Sequence, residues 1–295
     1  MIYFIKINVI IILGIIILCQ SNFRSDITGL SDFSDVENDS WISGVHTLSI
    51  HVRDTLTHDS VYQLFHNKLK LPIYYSPVKI GQRKYVGLYA GNMVLEPCGP
   101  YQNIDYANDN FKSIFYGLNL EVGKSLESVE QILSDRGIRQ QVNKGSIYVR
   151  DSILSNENIF VGLYNITDKE KRDSLANFLL KNPVSNPGIE YIKEIDIGYK
   201  GEINLLKWKE LLDPLEIGEN GTCQINDFLQ LYFIKGEINE VKGITFKVGS
   251  IEKSQQYLME IDLLSSTSDH KIQLDQTKTF GLTIYLTDDE YSVEY

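Results

Sequence analysis

Gly117-Leu118-Asn119-Leu120-Glu121-Val122-Gly123 returns 126 residues later as Gly243-Ile244-Thr245-Phe246-Lys247-Val248-Gly249. Each stretch alternates apolar residues with polar ones or glycine, the period of a half-buried strand. Each is followed by a helical pattern, Ser125 to Gly137 and Ser250 to Leu264. Each unit then closes on a related strand, Gly162-Leu163-Tyr164-Asn165-Ile166-Thr167-Asp168 and Gly281-Leu282-Thr283-Ile284-Tyr285-Leu286-Thr287-Asp288. Self-similarity at a fixed spacing marks a duplicated structural unit and decides the fold before any single element does.

The same order extends in both directions. Towards the N-terminus, Val45 to Val52 alternates as a strand, and Asp54 to Leu71 carries Leu56, Val61, Leu64, Phe65 and Leu69 at helical spacing and ends before Pro72. Pro72 to Pro77, Tyr85 to Tyr89 and Asn92 to Glu96 then read as three strands. Between the two clear copies, Lys193 to Tyr199 reads as a strand, Asn204 to Leu212 as a helix stopped before Pro214, and Phe228 to Ile234 as a closing strand. The chain thus divides into four β-α-β-β-β modules near 41–104, 111–168, 188–236 and 240–290. The segment 169–187, with Leu175, Phe178, Leu179 and Leu180 before Asn182-Pro183-Val184-Ser185-Asn186-Pro187, reads as a helix and linker between the halves 41–168 and 188–295.

The 295 residues include 28 Lys and Arg against 39 Asp and Glu, a formal charge of −11 that disfavours a nucleic-acid partner. Ile7 to Leu18 is an apolar run of signal-peptide length after Lys6, too short for a spanning helix. With Ile16-Ile17-Leu18-Cys19 it resembles a bacterial lipoprotein signal over residues 1–19. Cys19 would then carry the lipid and residues 20–40 would form an acidic tether, with a plain signal peptide and an uncleaved anchor as the alternatives. The expected location is the cell envelope, with the membrane as a partner through that lipid. Cys98 and Cys223 read as isolated thiols, and the sequons at Asn165 and Asn220 as inert.

Ser43-Gly-Val-His-Thr-Leu-Ser-Ile-His-Val-Arg-Asp54, Val61-Tyr62, Leu69-Lys-Leu-Pro72 and Gly91-Asn-Met-Val-Leu-Glu96 together resemble the opening module of the vicinal oxygen chelate superfamily, which includes glyoxalase I, extradiol dioxygenases and bleomycin-resistance proteins. The resemblance covers roughly residues 43–290 and is loosest in the third module. It implies an α+β fold in which modules pair into two glyoxalase-like domains, each a cupped mixed sheet with its site on the concave face. Either first-with-second or first-with-fourth pairing remains open. It also implies metal ligands on the first and last strands of modules. Those positions fall on Thr47 and Glu96, on Gly117 and Asn165, on Glu194, and on Gly243 and Tyr285, with His46 on the opposite face from Thr47 by strand parity. A Lewis-acid metal needs three or four converging donors. Two of these positions are glycines, so no metal or other cofactor is expected, with a divalent metal as the alternative.

Strand parity places Thr47, Ser49 and His51 on the cup face, where they would line a ligand site with Asn92, Glu96 and, from the second module, Asn165. His51 and Glu96 are the candidate acid/base pair for a metal-free reaction. Cys98 reads as a buried thiol, His58 and His66 as surface histidines of the first helix, and the recurring strand tyrosines as sheet-packing residues. The expected function is small-molecule binding in a concave sheet. The alternatives are a divergent lyase, isomerase or dioxygenase-like enzyme using Glu96 and His51, and an interaction lipoprotein for an unknown protein partner.

Overall fold

In the computed structural model, which describes residues 40–101, 112–165, 169–181, 187–268 and 270–289, two mixed sheets account for most of the regular structure. The export signal and most of the tether read from the sequence lie outside those residues. Among the described residues no helix is long and apolar enough to cross a membrane.

The first module runs β1 (Ile42–Val52), α1 (Thr55–Gln63), β2 (Ile73–Ile80), β3 (Arg83–Tyr89) and β4 (Val94–Gly99). Asp54 caps α1 by accepting from the Thr57 amide at 2.7 Å, and a π-helical turn, Leu64–Lys68, extends the helix. The second module runs β5 (Ser113–Val122), α2 (Leu126–Asp135), β6 (Gln140–Asn143), β7 (Ser146–Val149) and β8 (Phe160–Asn165). After the connecting helix α3 (Lys169–Lys181) comes β9 (Ile189–Tyr199), α4 (Glu202–Leu212), β10 (Thr222–Asn226) and β11 (Leu229–Lys235). The fourth module is β12 (Glu240–Val248), α5 (Ile251–Glu260), β13 (Leu264–Ser268), β14 (Lys271–Leu274) and β15 (Ile284–Thr287). The repeat read from the sequence has a local physical basis: Ser125 and Ser250, shortly after the repeated Val-Gly, both cap the following helix. The third module has three strands, one fewer than its sequence reading.

Pairing is first with second and third with fourth. Sheet 1 has the order β2-β3-β4-β1-β5-β8-β7-β6 and sheet 2 the order β10-β11-β9-β12-β15-β14-β13. In each, the first strands of the two modules meet antiparallel at the centre and each lies parallel to the last strand of its own module. This is the α+β arrangement of two cupped sheets. Leu48, Ile50 and Val52 face the helices fully buried, as do Ile195 and Ile197 in sheet 2, and one hydrophobic cluster runs through both sheets. Asn92 ties them together at the edge of that cluster: its side chain donates to the Ile192 carbonyl at 2.8 Å and accepts from the Ile192 amide at 3.1 Å.

Candidate functional site

Three cross-strand rows build the concave face of sheet 1. Thr47 aligns with Val94 and Asn119, and Asn119 with Gly162; Ser49 aligns with Glu96 and Gly117; His51 aligns with Cys98. Glu96 is held on both oxygens. The Tyr75 hydroxyl donates to Oε1 at 2.5 Å and the Ser49 hydroxyl to Oε2 at 3.1 Å. Burial raises the Glu96 carboxyl above the ordinary range, and these two hydrogen bonds oppose the rise. Gly117 has no side chain for a physical reason: a Cβ there would lie 2.9 Å from Ser49 Oγ, the atom that reaches Glu96.

His51 does not pair with Glu96. Its ring lies between Tyr101, at 3.6 Å between centroids and 9° between planes, and Tyr116, at 4.0 Å and 23°. The Arg83 guanidinium sits 4.0 Å from the Tyr101 centroid. Burial, with a smaller contribution from the Arg83 charge, pushes His51 down to about 3, and its Nδ1 has no hydrogen-bond partner. A neutral, sandwiched imidazole is a stacking element, so the acid/base pair expected from the sequence is not assembled. Aromatic contacts continue from Tyr116, stacked on Phe160, to Tyr148, which meets Phe160 edge-on and Tyr164 at a tilt, and to His46, stacked on Tyr164, with centroid separations of 5.1 to 6.5 Å.

His46 was expected on the far face. A register irregularity between Val45 and Thr47 brings it to the cup side, where its ring stacks on Tyr164 and its Nδ1 lies 2.6 Å from Thr47 Oγ1. Asn119, which the sequence reading did not single out, is 7% exposed and its Oδ1 has no partner. Gly162 leaves room beside it. Alternation in Leu118-Asn119-Leu120 was the signal for its cup-facing side chain.

The other predicted residues lie elsewhere. Asn92 serves the junction between the sheets. Asn165 ends β8 on the opposite face from Tyr164 and donates to the Lys124 carbonyl at 3.3 Å. Cys98 is buried and unbridged, as is Cys223, and burial pushes both thiols up, Cys223 to about 11. His58 is only 2% exposed rather than a surface histidine, and His66 is bonded to the Leu71 carbonyl at 2.9 Å. Helix α3 lies over one end of the cup. Leu175 and Ala176 pack near Tyr74, Tyr89 and Val94, and Arg172 pairs with Glu121 at 2.8 Å.

No protein-family sequence model matches the chain, and no curated protein matches it in sequence. Solved structures do match in shape. Homoprotocatechuate 2,3-dioxygenase from Brevibacterium fuscum, in its anaerobic complex with 3,4-dihydroxyphenylacetate, superposes with a TM-score of 0.54 at 12% identity, covering 85% of this chain and 82% of the enzyme. The enzyme from Arthrobacter globiformis gives 0.55 at 12% identity over 85% and 80% of the two chains. A single-residue variant of the B. fuscum enzyme gives 0.54 at 13% over 85% and 73%. This chain has the extradiol dioxygenase fold.

Whether this chain has the donors for the metal implied by the resemblance is a question of its side chains. In sheet 1 the positions carry Thr47, Glu96, Gly117 and Asn165, and the only carboxylate is oriented by one hydrogen bond on each oxygen, from Tyr75 and Ser49. In sheet 2 they carry Glu194, Gly243 and Tyr285. Glu194 is already engaged by Gln230 Nε2 at 2.6 Å and by Thr245 Oγ1 at 3.3 Å. No three of these positions present converging donors, so the residues do not fit the group. The one described cluster with metal-ligand spacing is His270, Asp288 and Asp289, at the end of sheet 2. His270 and Asp289 are exposed there and 3.3 Å apart, an ordinary surface pairing away from those positions.

Proposed function

We propose that this protein binds a small, flat, hydrogen-bond-donating molecule on the concave face of sheet 1, and that it does not perform the metal-dependent chemistry of the dioxygenases whose fold it shares. The observation that carries this reading is the pairing of a fixed acceptor with an aromatic surface. Glu96 is oriented by Tyr75 and Ser49, Asn119 Oδ1 is buried without a partner, and Tyr116, Phe160, Tyr148 and Tyr164 form the adjoining wall. Aromatic rings offer π-faces and edges to a planar ligand, and an unpaired buried acceptor favours a ligand with an N–H or O–H over one without.

Isothermal titration of the full-length protein with planar phenols and anilines, 3,4-dihydroxyphenylacetate among them, tests this. Saturable binding without added metal is expected, weakened about tenfold by Glu96→Gln and by Asn119→Leu. Binding by neither phenols nor anilines, or binding indifferent to both substitutions, contradicts the reading.

A further inference from the structure

The concave face of sheet 2 differs in chemistry from that of sheet 1. Along Glu194-Ile195-Asp196-Ile197 the isoleucines enter the core, and the two acids project to the cup side. The register sets Gln230, Glu194, Thr245 and Tyr285 in one row and Tyr232, Asp196 and Gly243 in the next. Glu194 is positioned by its bonds to Gln230 and Thr245. Asp196 is 7% exposed and its Oδ1 has no partner. Its cross-strand neighbour Gly243 has no side chain to offer it a donor. The carbons of Thr283 stand over that glycine, and its hydroxyl oxygen accepts from Gln276 Nε2.

We infer that this face is a second ligand site, selective for a small molecule that carries a protonated amine, with Glu194 and Asp196 as its acceptors and the Tyr285 ring as its wall. Lys271 shows how such a cation sits. Its ammonium lies 4.4 Å from the Tyr285 ring centroid and 3.6 Å from Glu194 Oε1, within attraction but too far for a hydrogen bond. The Lys271 side chain is 41% exposed and rises from a strand next to the sheet edge, so it can leave without unpacking the core. A ligand ammonium with three N–H donors replaces it and gives Asp196 Oδ1 the partner it lacks. The two acids oppose an anionic ligand at the same place. This site is independent of the one on sheet 1, and the substitutions that test it lie on the other sheet.

The test is titration of the full-length protein with n-butylammonium chloride, against 1-butanol as the uncharged match and Mn²⁺ as the metal control. Saturable binding of the ammonium is expected, with butanol weaker by about tenfold or more. Asp196→Asn keeps the shape, removes the charge and weakens the amine about tenfold. Lys271→Ala, at an exposed position, removes the internal competitor and tightens binding about threefold. Three results overturn the inference: no saturable ammonium binding by wild type or Lys271→Ala, equal affinity for butanol, or an amine affinity unchanged by Asp196→Asn. Stoichiometric Mn²⁺ binding that is lost in Asp196→Asn also overturns it, because the acids would then form a metal site.

Discussion

His51 shows how one side chain's surroundings decide its role. In water an imidazole takes a proton near pH 6.5. Between two tyrosine rings and close to Arg83 it stays neutral down to about 3. The unfolded chain therefore binds a proton on His51 as pH falls below 6.5, while the folded chain does not. The stability this residue contributes is complete above 6.5 and is lost progressively between 6.5 and about 3. At about 1.4 kcal/mol per pKa unit the loss reaches a few kcal/mol. His51→Phe keeps a ring between Tyr101 and Tyr116 and cannot titrate. Urea denaturation between roughly pH 4 and 7 is expected to show a shallower fall in stability for the variant than for wild type. Equal slopes would mean that His51 is not held neutral.

Asp196 belongs to the same scale. Burial and the neighbouring Glu194 raise it to about 6, against the opposing charges of Lys271 and Lys242. Its position was legible in the alternation of Lys193 to Tyr199. Its lack of a cross-strand donor was not, because that depends on Gly243, more than 40 residues away in the chain.

At the scale of elements, the strands and helices followed from periodicity and capping, and the two Val-Gly pairs with a serine cap shortly after them marked the same turn twice. Parity failed where a strand bulges. The irregularity at His46 places both His46 and Thr47 on the cup face, and the one between Ser49 and Ile50 does the same for Tyr116 beside His51. An extra residue in one strand leaves no local sequence signal, so the aromatic wall was read only as scattered tyrosines. The Gly91-Asn92 turn has a tertiary role of the same kind. Gly91 takes φ +89°, and a Cβ there would meet the Glu190 backbone, while Asn92 bonds both the amide and the carbonyl of Ile192. Asn92→Ala is expected to cost about 2 kcal/mol in chemical denaturation, from two backbone groups left unpaired. Gly91→Ala is expected to cost more, since backbone approaches backbone and nothing flexible can yield. A neutral effect of both would show that the sheets do not depend on this junction.

For the whole molecule, four modules were legible because each repeats a strand, a helix and a closing strand. Their pairing was not, since the same modules could combine in two ways. The antiparallel contacts of β1 with β5 and of β9 with β12 decide it. That pairing also decides the chemistry, because it sets Gly117 opposite Ser49 and Gly243 opposite Asp196, where a metal would need donors. The fold is that of ring-cleaving dioxygenases, while the cups present one carboxylate held by Tyr75 and Ser49 beside aromatic rings and one carboxylate pair with a lysine.

Elemental analysis of the full-length protein, purified without chelator and compared with Glu96→Ala and Glu194→Ala, tests this most directly. The account predicts well under one equivalent of any transition metal in all three proteins. About one equivalent of iron, manganese, zinc or nickel in the wild type, lost in either variant, would contradict it and return the protein to metal-dependent catalysis.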